Sequence, residues 1–116
     1  MRENEFTIVT KEDYTLLEIN SIQLDAVLAP RLKSELVVLS GSGVRNILLD
    51  MKNCQYCDSS GLSAILVGNR LCRNAGGRFI ICGLTPAVER LVTISQLDTV
   101  LSIAYSQEQI DDFFSH

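Results

Sequence analysis

The sequence predicts an α/β fold: an N-terminal β-hairpin, then strands alternating with helices in a mainly parallel sheet flanked by helices. Three observations carry this. Phe6-Thr7-Ile8-Val9 and Tyr14-Thr15-Leu16-Leu17-Glu18-Ile19 are rich in β-branched and aromatic residues, and Lys11-Glu12-Asp13 between them suits a hairpin turn. Asn46-Ile47-Leu48-Leu49-Asp50-Met51 and Arg78-Phe79-Ile80-Ile81-Cys82 are short, nearly continuous apolar runs, as expected of strands covered on both faces. Segments with helical periodicity lie between and after those runs, so right-handed crossovers should join parallel strands.

Each element has a local reason. Leu28, Leu32, Leu36 and Leu39 recur at helical spacing, with Pro30 in the first turn, where a missing N–H costs little. Ser40-Gly41-Ser42-Gly43 should stop that helix. A second helix, about Ser60 to Asn74, is apolar nearly all round (Leu62, Ala64, Ile65, Leu66, Val67, Leu71, Cys72), which predicts that it is largely buried. Arg70 and Arg73 in its last turns suit the helix dipole, and Gly76-Gly77 should end it. Thr85-Pro86 reads as an N-cap and first helical position, opening a third helix through Val88, Leu91 and Val92. A short strand from about Leu101 to Tyr105 follows. Ser106-x-x-Gln109 is a capping box, and Ile110, Phe113 and Phe114 form one face of a terminal helix. The predicted order is ββαβαβαβα.

At 116 residues the chain fits one domain, 1–116, with a core that needs no disulfide or metal. Ten Lys+Arg against fourteen Asp+Glu leave a net charge of −4, which disfavours nucleic acid and anionic membrane as partners. Met1-Arg2-Glu3-Asn4-Glu5 leads into no apolar run, and no run approaches a bilayer span, so a cytoplasmic location with reduced thiols is expected.

Catalysis finds little support. His116 is the one histidine and the last residue, a poor base at a terminus that should fray. No G-x-S-x-G elbow is present, Gly41-Ser42-Gly43 reads as a turn, and no cluster has metal-ligand spacing. We therefore expect no catalytic residues, metal or cofactor. Cys54-Gln55-Tyr56-Cys57 is a C-x-x-C, but Cys72 and Cys82 supply no second pair for zinc, and Cys54 lies several residues before the next helix. The pair reads more simply as small core residues.

Asp58-Ser59-Ser60-Gly61-Leu62 stands between a buried strand and a buried helix. One reading is a helix start: a serine N-cap, an acidic residue at the positive end of the dipole, and a glycine that lets the chain turn. A second is compatible with it. A serine hydroxyl at a helix N-terminus is within reach of a kinase, and a phosphate there would meet free backbone N–H groups.

The run Asn46–Asp50 leading to Tyr56-Cys57-Asp58-Ser59-Ser60-Gly61-Leu62 resembles the hydrophobic strand and D-S-[ST]-G-L motif of STAS domains of the anti-sigma factor antagonist type. Downstream, Gly76-Gly77 and Phe79 to Leu91 resemble that family's glycine pair, strand and S-P-A-V-x-R-L helix; upstream, Leu24-Asp25 and Ala29-Pro30-Arg31-Leu32 are similar to its L-D motif and first helix. Two positions depart from the pattern: Ile22 stands where glycine is common before L-D, and Ser63 where glycine often follows the motif. The resemblance implies phosphorylation at Ser59 by an anti-sigma factor serine kinase and removal by a metal-dependent serine phosphatase. It implies that the unphosphorylated protein binds the kinase and frees a sigma factor, with Asp25 and Asp58 flanking the site and Ser60, Gly61 and Leu62 contributing to docking. A STAS module serving another partner, such as a stress-signalling scaffold or transport complex, is the alternative within the fold. A thiol oxidoreductase using Cys54 and Cys57 is the alternative outside it.

Overall fold

The computed structural model describes residues 4–115. The expectations placed on Met1, Arg2, Glu3 and His116 lie outside that range. Five strands form the main sheet: β1 (Phe6–Thr10), β2 (Thr15–Ile19), β4 (Ile47–Asp50), β6 (Phe79–Cys82) and β7 (Ser102–Ala104), in spatial order β1-β2-β4-β6-β7. The β1–β2 pair is antiparallel, closed by an 11–14 turn in which Lys11 N–H donates to Tyr14 O at 2.8 Å; every other pairing in this sheet is parallel.

Helix α1 spans Ala29–Gly41, α2 Ser59–Asn74, α3 Pro86–Ile94 and α4 Gln107–Phe114, with a 3₁₀ turn at Leu97–Thr99. The predicted fold class and element order are observed, with one addition. Two two-residue strands, β3 (Gln23–Leu24) and β5 (Tyr56–Cys57), form a separate parallel pair. That small ladder builds the candidate site.

Alternation along the strands sorts the core into two layers. Leu17, Ile19, Ile47, Leu49, Phe79 and Ile81 face α1 and α2, joined by Leu32, Leu36, Ala64, Ile65 and Cys72 from the helices and by Val88 and Val92 from α3. Leu48, Ile80 and Ala104 face the other way, against Ile110 and Phe114 of α4, where Tyr14 stacks on Phe114 with ring centroids 4.7 Å apart. Because β4 and β6 are covered on both faces, they read as unbroken apolar runs.

Local details differ from the sequence reading in informative ways. Ser60 was expected near the start of α2 with a serine as its cap; the N-cap is Asp58, whose Oδ1 accepts from Gly61 N–H at 3.0 Å, and Ser59 is the first helical residue. Thr85 does cap α3 in position, but its hydroxyl donates to Cys54 O at 3.0 Å instead of serving the helix. At α4 half of the capping box forms: Ser106 Oγ accepts from Gln109 N–H at 3.2 Å, while Gln109 Oε1 accepts from Tyr105 N–H, one residue before the expected partner. Gly76, with φ +80°, ends α2 as predicted.

Candidate functional site

The site is built from the same step taken twice. Leu24-Asp25 ends β3 and leads into α1; Cys57-Asp58 ends β5 and leads into α2. The parallel register pairs Leu24 with Cys57, so the two aspartates emerge side by side, and Asp58 N–H donates to Leu24 O at 3.3 Å. Each carboxylate then organises the turn that follows it. Asp25 Oδ1 accepts from the Val27 and Leu28 N–H groups at 3.1 Å each, and Asp58 Oδ1 caps α2 through Gly61. Carboxylates suit both places because each points at the positive end of a helix. Neither forms an ion pair among the described residues.

The expected site residues are thereby brought together, at different depths. Ser59 is exposed, Asp25, Asp58 and Ser60 are half-buried, and Gly61 and Leu62 are buried. Ser59 carries its hydroxyl on the first helical residue, and that hydroxyl joins no hydrogen bond within the described residues. Leu62 packs into the main core and offers almost no contact surface. Gly61 is not a turn residue: it lies within the helix, and a Cβ there would stand 2.5 Å from Leu24 O and 2.7 Å from Cys57 Sγ. Its missing side chain is what lets α2 sit against β3.

The sequence reading missed the apolar rim. Ile22, Val27 and Tyr56 are each more than half exposed, on the segments that carry Asp25 and Asp58, and Ile22 O accepts from both Gln55 N–H and Tyr56 N–H. Nothing in a single apolar residue's type distinguishes such a position from a core one. The repeated Leu-Asp and Cys-Asp steps before two helices were the available signal for the ladder beneath it.

Cys54 and Cys57 lie behind this surface as buried free thiols. Burial raises the Cys54 thiol, whose Sγ donates to Tyr56 O at 3.1 Å; burial, then the neighbouring Cys54 and Asp58, push Cys57 up to about 12. Burial likewise carries Cys72 to about 11 and Cys82 to about 12. Thiols held protonated this firmly are poor nucleophiles, which counts against redox exchange. Native protein at pH 8 should therefore alkylate at Cys57 at least about a hundredfold more slowly than the urea-unfolded chain, and at Cys54 more slowly too. Rapid stoichiometric labelling of folded protein would restore the thiol reading. Among the described residues no group of His, Cys, Asp and Glu has the arrangement of a metal site, and no helix is long and apolar enough to cross a membrane.

A five-stranded mixed sheet with helices on both faces, and a capped helix presenting D-S-S-G beside a second aspartate, define the architecture and its candidate site. The chain belongs to the STAS domain family, whose model matches residues 5–110. Two of its curated relatives are named as anti-sigma factor antagonists. It is 40% identical over 58 residues to the anti-sigma F factor antagonist of Paenibacillus polymyxa, a match spanning half of each chain. It is 30% identical over 80 residues to BtrV of Bordetella bronchiseptica, also named as an anti-sigma factor antagonist, across 69% of each chain. Among solved structures it resembles SpoIIAA of Bacillus, at 20% identity and 92% coverage of this chain. TM-scores are 0.77 for the unphosphorylated form, over 94% of that chain, and 0.70 for the phosphorylated form, over 97%.

Proposed function

We propose that this protein is a phosphorylation-controlled partner switch in which Ser59 carries the phosphate. In its unmodified state it binds an anti-sigma factor that is also a serine kinase, and so releases a sigma factor; a serine phosphatase resets it. The observation carrying this reading is the exposed Ser59 hydroxyl at the first position of a helix whose cap, Asp58, is already supplied. Because Asp58 satisfies Gly61 N–H, Ser59 is free of a structural duty and can be modified without dismantling the helix.

The rest of the surface supports the same reading. Ser59 and Ser60 give it little bulk, and Ile22, Val27 and Tyr56 stand exposed on the segments that carry Asp25 and Asp58, an apolar area a partner can cover. The relatives' names agree with it. Incubation with the cognate kinase and ATP, followed by mass spectrometry, should place one phosphate on Ser59. Phosphate on Ser60, or on neither, would refute the assignment.

Phosphorylation should leave the fold intact. About 1.5 to 2 added negative charges would lie at the positive end of α2, which favours them, while the half-buried Asp58 and Asp25 oppose them across a surface that salt can still screen. These effects are each modest and of opposite sign. The phosphorylated protein should melt within roughly 5 °C of the unmodified one. A much larger loss would mean that the switch works by unfolding.

A further inference from the structure

We propose that the cleft at the C-terminal end of α2 is a binding site for a small phosphate monoester, separate from the Ser59 surface. The cleft, about 380 Å³, lies where α2 ends and β6 and β7 begin, and Asn69, Arg73, Arg78 and Ser102 line it with the backbone of Gly76-Gly77. Ten to fourteen helical residues separate Asn69 and Arg73 from Ser59, which places the two sites roughly 15–20 Å apart.

Asn69 is the first reason. It is 8% exposed and, with Thr15, one of two buried polar residues among those described; the other buried residues of α2 are Gly61, Leu62, Ala64, Ile65, Gly68 and Cys72. Its amide makes no hydrogen bond within the described residues. No side-chain polar atom is sealed away without a partner, so the amide opens onto the cleft it lines. A carboxamide kept in an apolar helix face and aimed into a cleft has donors to give a ligand.

The arginines are the second reason. Arg73 and Arg78 form no ion pair among the described residues, although the chain carries a net charge of −4. Two guanidinium groups match the charge of a phosphate dianion and its oxygen geometry, and the Ser102 hydroxyl and Asn69 amide can serve the remaining oxygens. The α2 dipole opposes an anion at this end, and Arg73 helps the helix by being there. That opposition is reduced, because three of the last four carbonyls are already occupied: Ala75, Gly76 and Gly77 N–H groups donate to Leu71, Cys72 and Arg73 O. The cleft is larger than a phosphate ion, and Val100 and Phe79 give it an apolar wall for a small organic body.

Titration of ¹⁵N-labelled full-length protein with inorganic phosphate and with phenyl phosphate tests this. Saturable shifts should appear at Asn69, Gly76, Gly77 and Ser102 and leave Ser59 unmoved, with phenyl phosphate binding more tightly. Arg73→Ala and Arg78→Ala should each weaken binding about tenfold, and so should the isosteric N69D, which sets a carboxylate against the anion. Shifts centred on Ser59, affinity unchanged in the variants, or no saturation by tens of millimolar would each overturn the proposal. None of these results depends on whether Ser59 is phosphorylated.

Discussion

Replacing Ser59 with Asp is expected to weaken binding to the cognate serine kinase by roughly 30-fold or more, while Ser59→Ala keeps the affinity and removes the phosphate acceptor. The expectation follows from what the partner must cover. In the unmodified protein the centre of the surface is a neutral hydroxyl on an exposed helical residue, rimmed by Ile22, Val27 and Tyr56. Covering it removes apolar area from water at little polar cost. A carboxylate or phosphate at Ser59 must be stripped of water in the same contact, and a buried unpaired charge is strongly unfavourable. The charged groups that flank Ser59 on the two strand ends are both acidic, Asp25 and Asp58. Two fixed carboxylates add repulsion to the desolvation cost. Calorimetric titration of the kinase with wild type, S59A and S59D measures the effect directly. Equal affinity for S59D and wild type would remove charge at this residue from the mechanism and leave a STAS domain that binds by other means.

Much of this architecture is legible in the sequence because burial on two faces leaves a continuous apolar run and burial on one leaves a period. β4 and β6 show the first, α1 the second. β3 and β5 show neither, since two residues cannot establish a period, and what pairs them is a ladder between segments more than thirty residues apart. The N-cap was ambiguous for a different reason. Asp58, Ser59 and Ser60 are adjacent and all are good capping types, so the choice falls to tertiary packing. Asp58 wins because β5 runs directly into it and holds its N–H against Leu24 O. Thr85 shows the reverse case, where a residue of capping type in capping position spends its hydroxyl on Cys54 O across the fold. Composition and spacing had no access to either outcome. The pairing of Asp25 with Asp58 was suggested by family resemblance, and the β3–β5 register is its physical cause.

Gly61→Ala should destabilise the protein by about 1–3 kcal/mol, against a helix-propensity expectation of the opposite sign. Gly61 lies inside α2 with no left-handed backbone requirement, so by propensity alone alanine should be better there by up to about 1 kcal/mol. Packing reverses this. The added Cβ would stand 2.5 Å from Leu24 O, 2.7 Å from Cys57 Sγ and 2.8 Å from Leu24 Cγ. One of these is backbone and the others belong to buried side chains, so none yields like the tip of a flexible surface residue. The helix must lift from β3, and the Asp58 N–H to Leu24 O bond, already 3.3 Å long, is the contact it would stretch. That bond holds Asp25 beside Asp58, so the same substitution should also weaken partner binding. Gly41→Ala is the matched control. It is the last residue of α1 with nothing within 4 Å of its would-be Cβ, and it should be neutral or raise stability by a few tenths of a kcal/mol. Thermal melts of the two variants separate the effects, at roughly 3–5 °C per kcal/mol for a domain of this size. A Gly61→Ala protein that melts at or above wild type would show that α2 can move off β3 at no cost, and that the close approach does not hold the site in shape.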